Sequence, residues 1–181
     1  MNIIITSIKD LIIIKPKVFS DKRGHFFESY NSKIFKEKIG DFNFIQDNES
    51  KSTYGVLRGL HFQKPPFEQT KWVRCVSGNI LDVAVDLRES SKTFGKFFTI
   101  ELSSINNKQL LIPKGFAHGF QVLSDQAIVN YKVDEYYNPV SESGIIWDDN
   151  DLQIKWNIDF KPILSEKDLQ LISFKELKSP F

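Results

Sequence analysis

KWVRCVSGNILDVAVDL, residues 71–87, is the stretch from which the fold is read. Two runs of β-branched and apolar residues flank Ser77-Gly78-Asn79, where Gly and Asn tolerate the positive φ of a tight turn. The second run alternates Leu81, Val83, Val85 and Leu87 against Asp82, Ala84 and Asp86. A period of two is the mark of a strand, so the stretch predicts a hairpin with one apolar face and one face carrying two carboxylates.

Working outward, short runs of the same kind recur, each closed by turn residues: LIIIK (11–15), FNFIQD (42–47), KFFTIEL (96–102), KQLLI (108–112), AHGFQVL (117–123) and AIVNYKV (127–133). Many evenly spaced short strands argue for a mainly β sandwich or barrel and against a parallel sheet with crossover helices. Helix is expected twice. Asn31 or Ser32 can cap SKIFKEKI, which Gly40 closes, and Ile34, Phe35 and Ile39 form its buried stripe. SEKDLQLISFKEL (165–177) begins with a capping-type Ser165 followed by Asp168, and predicts a helical tail over about 163–181.

The chain of 181 residues is read as one domain, 1–181, without repeats or linkers. Its 24 basic and 23 acidic residues nearly cancel, so no global field favours nucleic acid or an anionic membrane, and any anion site must be local. The single Cys75 excludes an internal disulfide and a Cys-rich zinc site. Lys9 and Asp10 break the apolar opening before it reaches the length of a signal peptide or membrane span, which leads us to expect a soluble cytoplasmic protein.

Chemistry concentrates in GVLRGLHFQ (55–63) and its surroundings. His61 stands among Arg58, Lys71 and Arg74; His25 and His118 are isolated, and no His-x-His or His-x-x-x-His pair pre-forms a metal site. A neutral imidazole can accept a proton, and the cations can bind a phosphate or an enolate. Simple alternation puts Arg58 and His61 on opposite faces of a strand; a bulge at Gly59 would turn both inward. Tyr131, Tyr136 and Tyr137 in NYKVDEYYN combine a proton-donating hydroxyl with a flat apolar face, and can serve as acid, as stacking platform or as core.

Six segments in order together resemble the dTDP-4-dehydrorhamnose 3,5-epimerases, over nearly the whole chain. They are DKRGHFFESYN (21–31), FIQDNESKSTYGVLRGLHFQKPP (44–66), KWVRCVSGNILDVAVDLRESSKTFGKF (71–97), LLIPKGFAHGFQVLSD (110–125), YKVDEYYNP (131–139) and GIIWDD (144–149). The resemblance implies a cupin-type double-stranded β-helix, or jelly roll, with short flanking helices. It also implies a homodimer exchanging N-terminal strands, no metal or other cofactor, and a nucleoside-diphosphate 4-keto sugar as substrate, in surface-polysaccharide sugar biosynthesis.

In that family's terms His61 is the base that takes a proton beside the 4-keto group, Lys71 stabilises the enolate oxygen, and Tyr131 returns a proton from the opposite face. Asp168 is the expected partner of His61, with Asp82 as the alternative. Arg23, Glu28, Gln46, Asp47 and Asn48 correspond to nucleotide contacts, the Arg23 region reaching across a dimer. Arg58 corresponds to a diphosphate ligand, His118 to a second histidine of the site, Tyr137 to the base-stacking aromatic, and Glu142 and Lys167 to peripheral nucleotide contacts. Glu49, Phe62 and Trp72 depart from the family pattern. They are expected on the substrate side of the site, which leaves open dTDP or GDP, a hexose or a heptose, and inversion at C3 and C5 or at C3 alone. A nucleotide-sugar 3,4-ketoisomerase, a non-catalytic sugar-nucleotide-binding cupin and a metal-dependent cupin oxygenase are the competing readings.

Overall fold

The computed structural model describes all residues, Met1–Phe181. In chain order the strands are β1 (Asn2–Ile5), β2 (Ile12–Lys15), β3 (Phe19–Asp21), β4 (Gly24–Phe26), β5 (Gln46–Thr53), β6 (Leu57–Gln63), β7 (Lys71–Ser77), β8 (Asn79–Asp86), β9 (Phe97–Ser103), β10 (Gln109–Ile112), β11 (Phe116–Val122), β12 (Gln126–Val133) and β13 (Glu142–Gly144). A six-stranded sheet in the order β1-β2-β10-β7-β12-β5 faces a five-stranded sheet in the order β13-β6-β11-β8-β9. All the named pairings are antiparallel, giving the expected jelly roll.

The stretch 71–87 forms the two expected strands but not the expected hairpin. β7 pairs with β10 and β12, whereas β8 pairs with β11 and β9, so the turn at Gly78 carries the chain from one sheet to the other. Gly78 has φ 75°, and a Cβ there would lie 2.0 Å from the carbonyl oxygen of Gln126, which is why the corner needs glycine. Both faces of β8 are covered. Ile80 and Ala84 belong to the core between the sheets, beside Val73, Cys75, Phe120 and Val129. Val83, Val85 and Leu87 sit on the outside of the five-stranded sheet under Leu152, Trp156, Phe174 and Phe181 of the C-terminal segment. The two carboxylates are therefore buried, each at 0% exposure, and both have partners.

The helix α1 (Ser32–Lys38) forms as read: the Asn31 side chain accepts from the Ile34 N–H at 3.2 Å, and Phe35 is buried against Trp72. The segment 42–45 is not strand. Phe42 and Phe44 are spent on the aromatic cluster beneath α1, and β5 begins only at Gln46. The C-terminal segment is not a helix either. It contains one 3-10 turn, Asp168–Gln170, and is tied to the barrel by parallel bridges Val56–Ile163 and Ile145–Ile172. Backbone bonds to neighbouring strands replace the intrahelical bonds that its capping signal predicted.

Candidate active site

The core between the sheets is apolar over most of its depth and polar at one end. There a cavity of about 180 Å³ is lined by Ser50, Arg58, His61, Lys71, His118, Gly119, Phe120, Tyr131, Ser165 and Asp168. A bulge brings the first two functional side chains together. Across β6 and β11, His61 pairs with His118 while Arg58 pairs with Phe120, so three steps along β6 match two along β11. The extra residue moves Arg58 onto the inward face with His61. Gly59, at φ 123°, makes the close approach possible, since a Cβ would lie 2.6 Å from the Gly119 Cα.

Two histidine–aspartate pairs meet at this cavity, one of them through His118 alone, with Asp82 buried behind it. His61 Nε2 donates to Asp168 Oδ1 at 2.5 Å, across 107 residues of sequence, and Asp168 Oδ2 accepts from the Ser165 hydroxyl at 2.8 Å. Burial works to raise the Asp168 carboxyl, but the bond and charge of His61, with two further bonds from Ser165, outweigh it and hold the group below the usual carboxylate range. With Nε2–H committed to a carboxylate, the lone pair of His61 is on Nδ1. Asp82 does not partner His61. Its carboxylate accepts from His118 Nε2 at 2.9 Å and 3.1 Å, because β8 and β11 are neighbours in one sheet.

Lys71 opens β7 on its inward face and donates to the His61 carbonyl oxygen at 3.3 Å. Burial of its ammonium lowers the pKa to about 8, with Asp82 and Glu142 pulling weakly the other way. Tyr131 comes from β12 in the six-stranded sheet, whereas His61 comes from β6 in the five-stranded one, so the two reach the cavity from opposing walls. Burial pushes the Tyr131 hydroxyl up; the Arg58 charge opposes this and Glu142 adds to it, leaving a protonated phenol.

The rim gathers most of the remaining expected residues. Tyr137 Oη and Lys167 Nζ each donate to Glu142 Oε2 at 2.8 Å, and the Tyr137 N–H donates to Gln46 Oε1 at 3.3 Å. Gln46 in turn donates to Asn48 at 2.8 Å, and the Arg58 guanidinium is fixed by Ser52 at 3.1 Å. Asp47 is not part of this rim. β5 alternates strictly, so Gln46, Asn48, Ser50 and Ser52 face inward while Asp47 faces out to Lys132 at 2.7 Å. Arg23 and Glu28 do not line the cavity either: Arg23 is exposed on the β3–β4 hairpin beside Asp21, and Glu28 accepts from Asn31.

The departures from the family pattern also fall elsewhere, contrary to expectation. Phe62 points away from His61 and packs edge-on against Phe181, with ring centroids 5.6 Å apart. Trp72 lies under α1 and donates to Gln109 at 2.8 Å. Glu49 is on the outward face of β5. Ser50 and Ser165 are cavity residues that sequence reasoning did not place in the site. The period-two register from Asn48 points to Ser50, whereas the sequence around Ser165 shows only capping chemistry.

A proton acceptor and a proton donor facing each other across a cation-lined pocket suit the removal and return of a carbon-bound proton, and on a jelly roll they define a cupin-type isomerase. A model of the dTDP-4-dehydrorhamnose 3,5-epimerase family matches residues 5–176. A dTDP-4-dehydrorhamnose 3,5-epimerase of Shigella flexneri is 54% identical over 170 residues, covering 93% of each chain. Among solved structures, the epimerase of Legionella pneumophila in complex with dTDP-4-keto-L-rhamnose superposes with a TM-score of 0.94 at 45% identity, covering 97% of this chain and 94% of that one. The dTDP-4-dehydrorhamnose 3,5-epimerase of Elizabethkingia anophelis gives a TM-score of 0.92 at 50% identity, covering 99% and 98%. The chain belongs to the dTDP-4-dehydrorhamnose 3,5-epimerase family and is an enzyme of that isomerase class.

Proposed function

We propose that this enzyme inverts C3 and C5 of a dTDP-linked 4-keto-6-deoxyhexose by proton abstraction and return through an enolate, without a cofactor. The observation that carries the reading is the placement of His61 and Tyr131 on facing sheets, with Lys71 lining the same cavity. His61 Nδ1 takes the proton from the carbon next to the carbonyl, and Asp168 steadies the imidazolium that results. The electron pair moves onto the 4-keto oxygen, where the Lys71 ammonium holds the negative charge. Tyr131 then gives its proton to the opposite face of the carbon. A single base returning its proton to the face it came from would regenerate the starting stereochemistry, so opposed walls are what inversion requires.

Arg58, pre-set by Ser52, is the diphosphate ligand, and Tyr137, Glu142 and Lys167 with Gln46 and Asn48 form the nucleoside end of the site. His118, held by Asp82, contacts the sugar. Thymidine rather than guanosine, and a hexose rather than a heptose, are favoured because Glu49, Phe62 and Trp72 lie outside the cavity and give no reason to expect an altered substrate. Arg23 and Glu28 belong to an arm, 19–28, whose Phe19 and Phe26 are 53% and 67% exposed. In a homodimer this arm would cover a partner and bring Arg23 to its nucleotide.

Proton NMR in heavy water follows the two carbons separately. With dTDP-4-keto-6-deoxyglucose, deuterium is expected at both C3 and C5; exchange at C3 alone would reduce the activity to a single centre. No exchange with either dTDP- or GDP-linked 4-keto sugars would sink the reading.

A further inference from the structure

Asp168 and its neighbour Ser165 are the two members of the cavity that no sheet holds in place. Asp168 sits on a single 3-10 turn in the C-terminal segment, while His61, Lys71, His118 and Tyr131 all come from paired strands. Its side chain is only 3% exposed, and its oxygens are divided: Oδ1 accepts from His61, while Oδ2 accepts from the Ser165 hydroxyl at 2.8 Å and the Ser165 N–H at 3.4 Å. The Asp168 N–H donates back to the Ser165 Oγ at 3.2 Å. This reciprocal pattern is that of a capping box, which usually stabilises a helix start. Here only the single 3-10 turn follows, and no α-helix.

We infer that Ser165 is a positioning residue for the epimerase reaction, acting through Asp168 to fix the tautomer of His61. Besides His61 itself, Ser165 is the only residue that bonds the Asp168 carboxylate. With Oδ2 tethered on one side, Oδ1 is aimed at Nε2, and the proton of the neutral imidazole stays there. Nδ1 is then always the nitrogen with the lone pair. Without the tether the carboxylate can turn about its side-chain bonds, and a fraction of the imidazole carries its proton on Nδ1, where it is useless as a base.

This role rests on the proposed reading of His61 as the base, and two measurements separate the two claims. The first is ¹⁵N NMR of the imidazole side chains, which resolves the tautomer of neutral His61 without substrate among only three histidines. Wild-type protein is expected in the Nε2–H form alone, S165A in a mixture, and S165T as wild type. The second is turnover of dTDP-4-keto-6-deoxyglucose: kcat of S165A should fall about tenfold with KM within about twofold, and S165T should restore it. S165G, which retains most of the capping preference of serine, carries both measurements if S165A does not fold.

A single Nε2–H tautomer in both S165A and S165G would overturn the proposal, and so would a mixture in the wild type. A fall in kcat without a change of tautomer would reduce Ser165 to a structural residue and overturn it as well. If the wild-type enzyme turns over no substrate, the functional reading falls, while the tautomer measurement still decides what Ser165 does.

Discussion

The two histidine–aspartate pairs meet at one cavity and differ in almost everything that decides their use. His118 and Asp82 lie on adjacent strands of one sheet, with side chains 8% and 0% exposed, and the carboxylate meets the imidazole through both oxygens. His61 and Asp168 come from a bulged strand and an irregular tail; the histidine side chain is 32% exposed and the aspartate 3%. The first pair is built into the sheet and the second is assembled onto it. A base that must take a proton needs an open face, whereas a histidine that only shapes the pocket wall against the sugar can be held by burial, so the same two residue types divide the work by environment.

The contrast is tested most sharply by removing each histidine. His61→Ala should cut deuterium exchange about 10³-fold and cost less stability than the change at His118, because the His61 ring is partly solvated and Ser165 still bonds the Asp168 carboxylate. His118→Ala should cost only about tenfold in kcat, yet strip Asp82 of its partner and lower unfolding stability by about 3 kcal/mol in urea titration. Equal losses of exchange in two well-folded variants would erase the distinction between the pairs.

Next in size is Lys71, which touches the His61 strand. Lys71→Met should lose about 10²-fold in kcat through the enolate charge it no longer meets. In the wild type the ammonium must be charged to act, and burial has lowered its pKa to about 8. The rate constant kcat/KM should therefore fall as pH rises through about 8. Its effect on folding has the opposite sign. Because the folded pKa lies below the unfolded value of 10.5, the fold gains from this group as pH rises from about 8 toward 10.5. A pH–rate profile flat to pH 10 would remove Lys71 from the reaction.

Smaller effects sharpen the border of the site. Asn48→Ala should raise KM about tenfold and Asp47→Ala less than about twofold, since β5 turns only the first inward. Smallest of all should be Phe62→Leu, which thins the contact with Phe181 and is expected to cost about 1 kcal/mol of stability with KM unchanged. A substrate preference that moved with Phe62 would bring this departure back into the question of specificity.

Strand existence was legible wherever β-branched and apolar residues gather in short runs, as in β2 and β7, or recur at period two, as in β8 and β12, and α1 was legible through Asn31 and its buried stripe. What faces what was less so. The 71–87 stretch reads equally well as a hairpin or as a corner between sheets, because local sequence does not state which neighbours the two strands will choose. β5 was misplaced because its inward face is polar for the sake of the cavity, while the apolar Phe42 and Phe44 beside it serve α1. The Ser165 box read as a helix start and proved to be a carboxylate clamp. His61 and Asp168 are too far apart for spacing to join them; only family resemblance did so, and the 2.5 Å bond supplies the physical reason.

Gly59 and Gly119 face each other where β6 bulges past β11, and a Cβ on either would lie 2.6 Å from backbone of the other strand. Neither contributes an atom to proton transfer, yet both are fixed as tightly as a base or an acid would be. In a library of point variants scored by sugar turnover, these two positions should be as intolerant as His61. An engineer wishing to move His61 relative to Arg58 would find that the route runs through empty space rather than through any side chain.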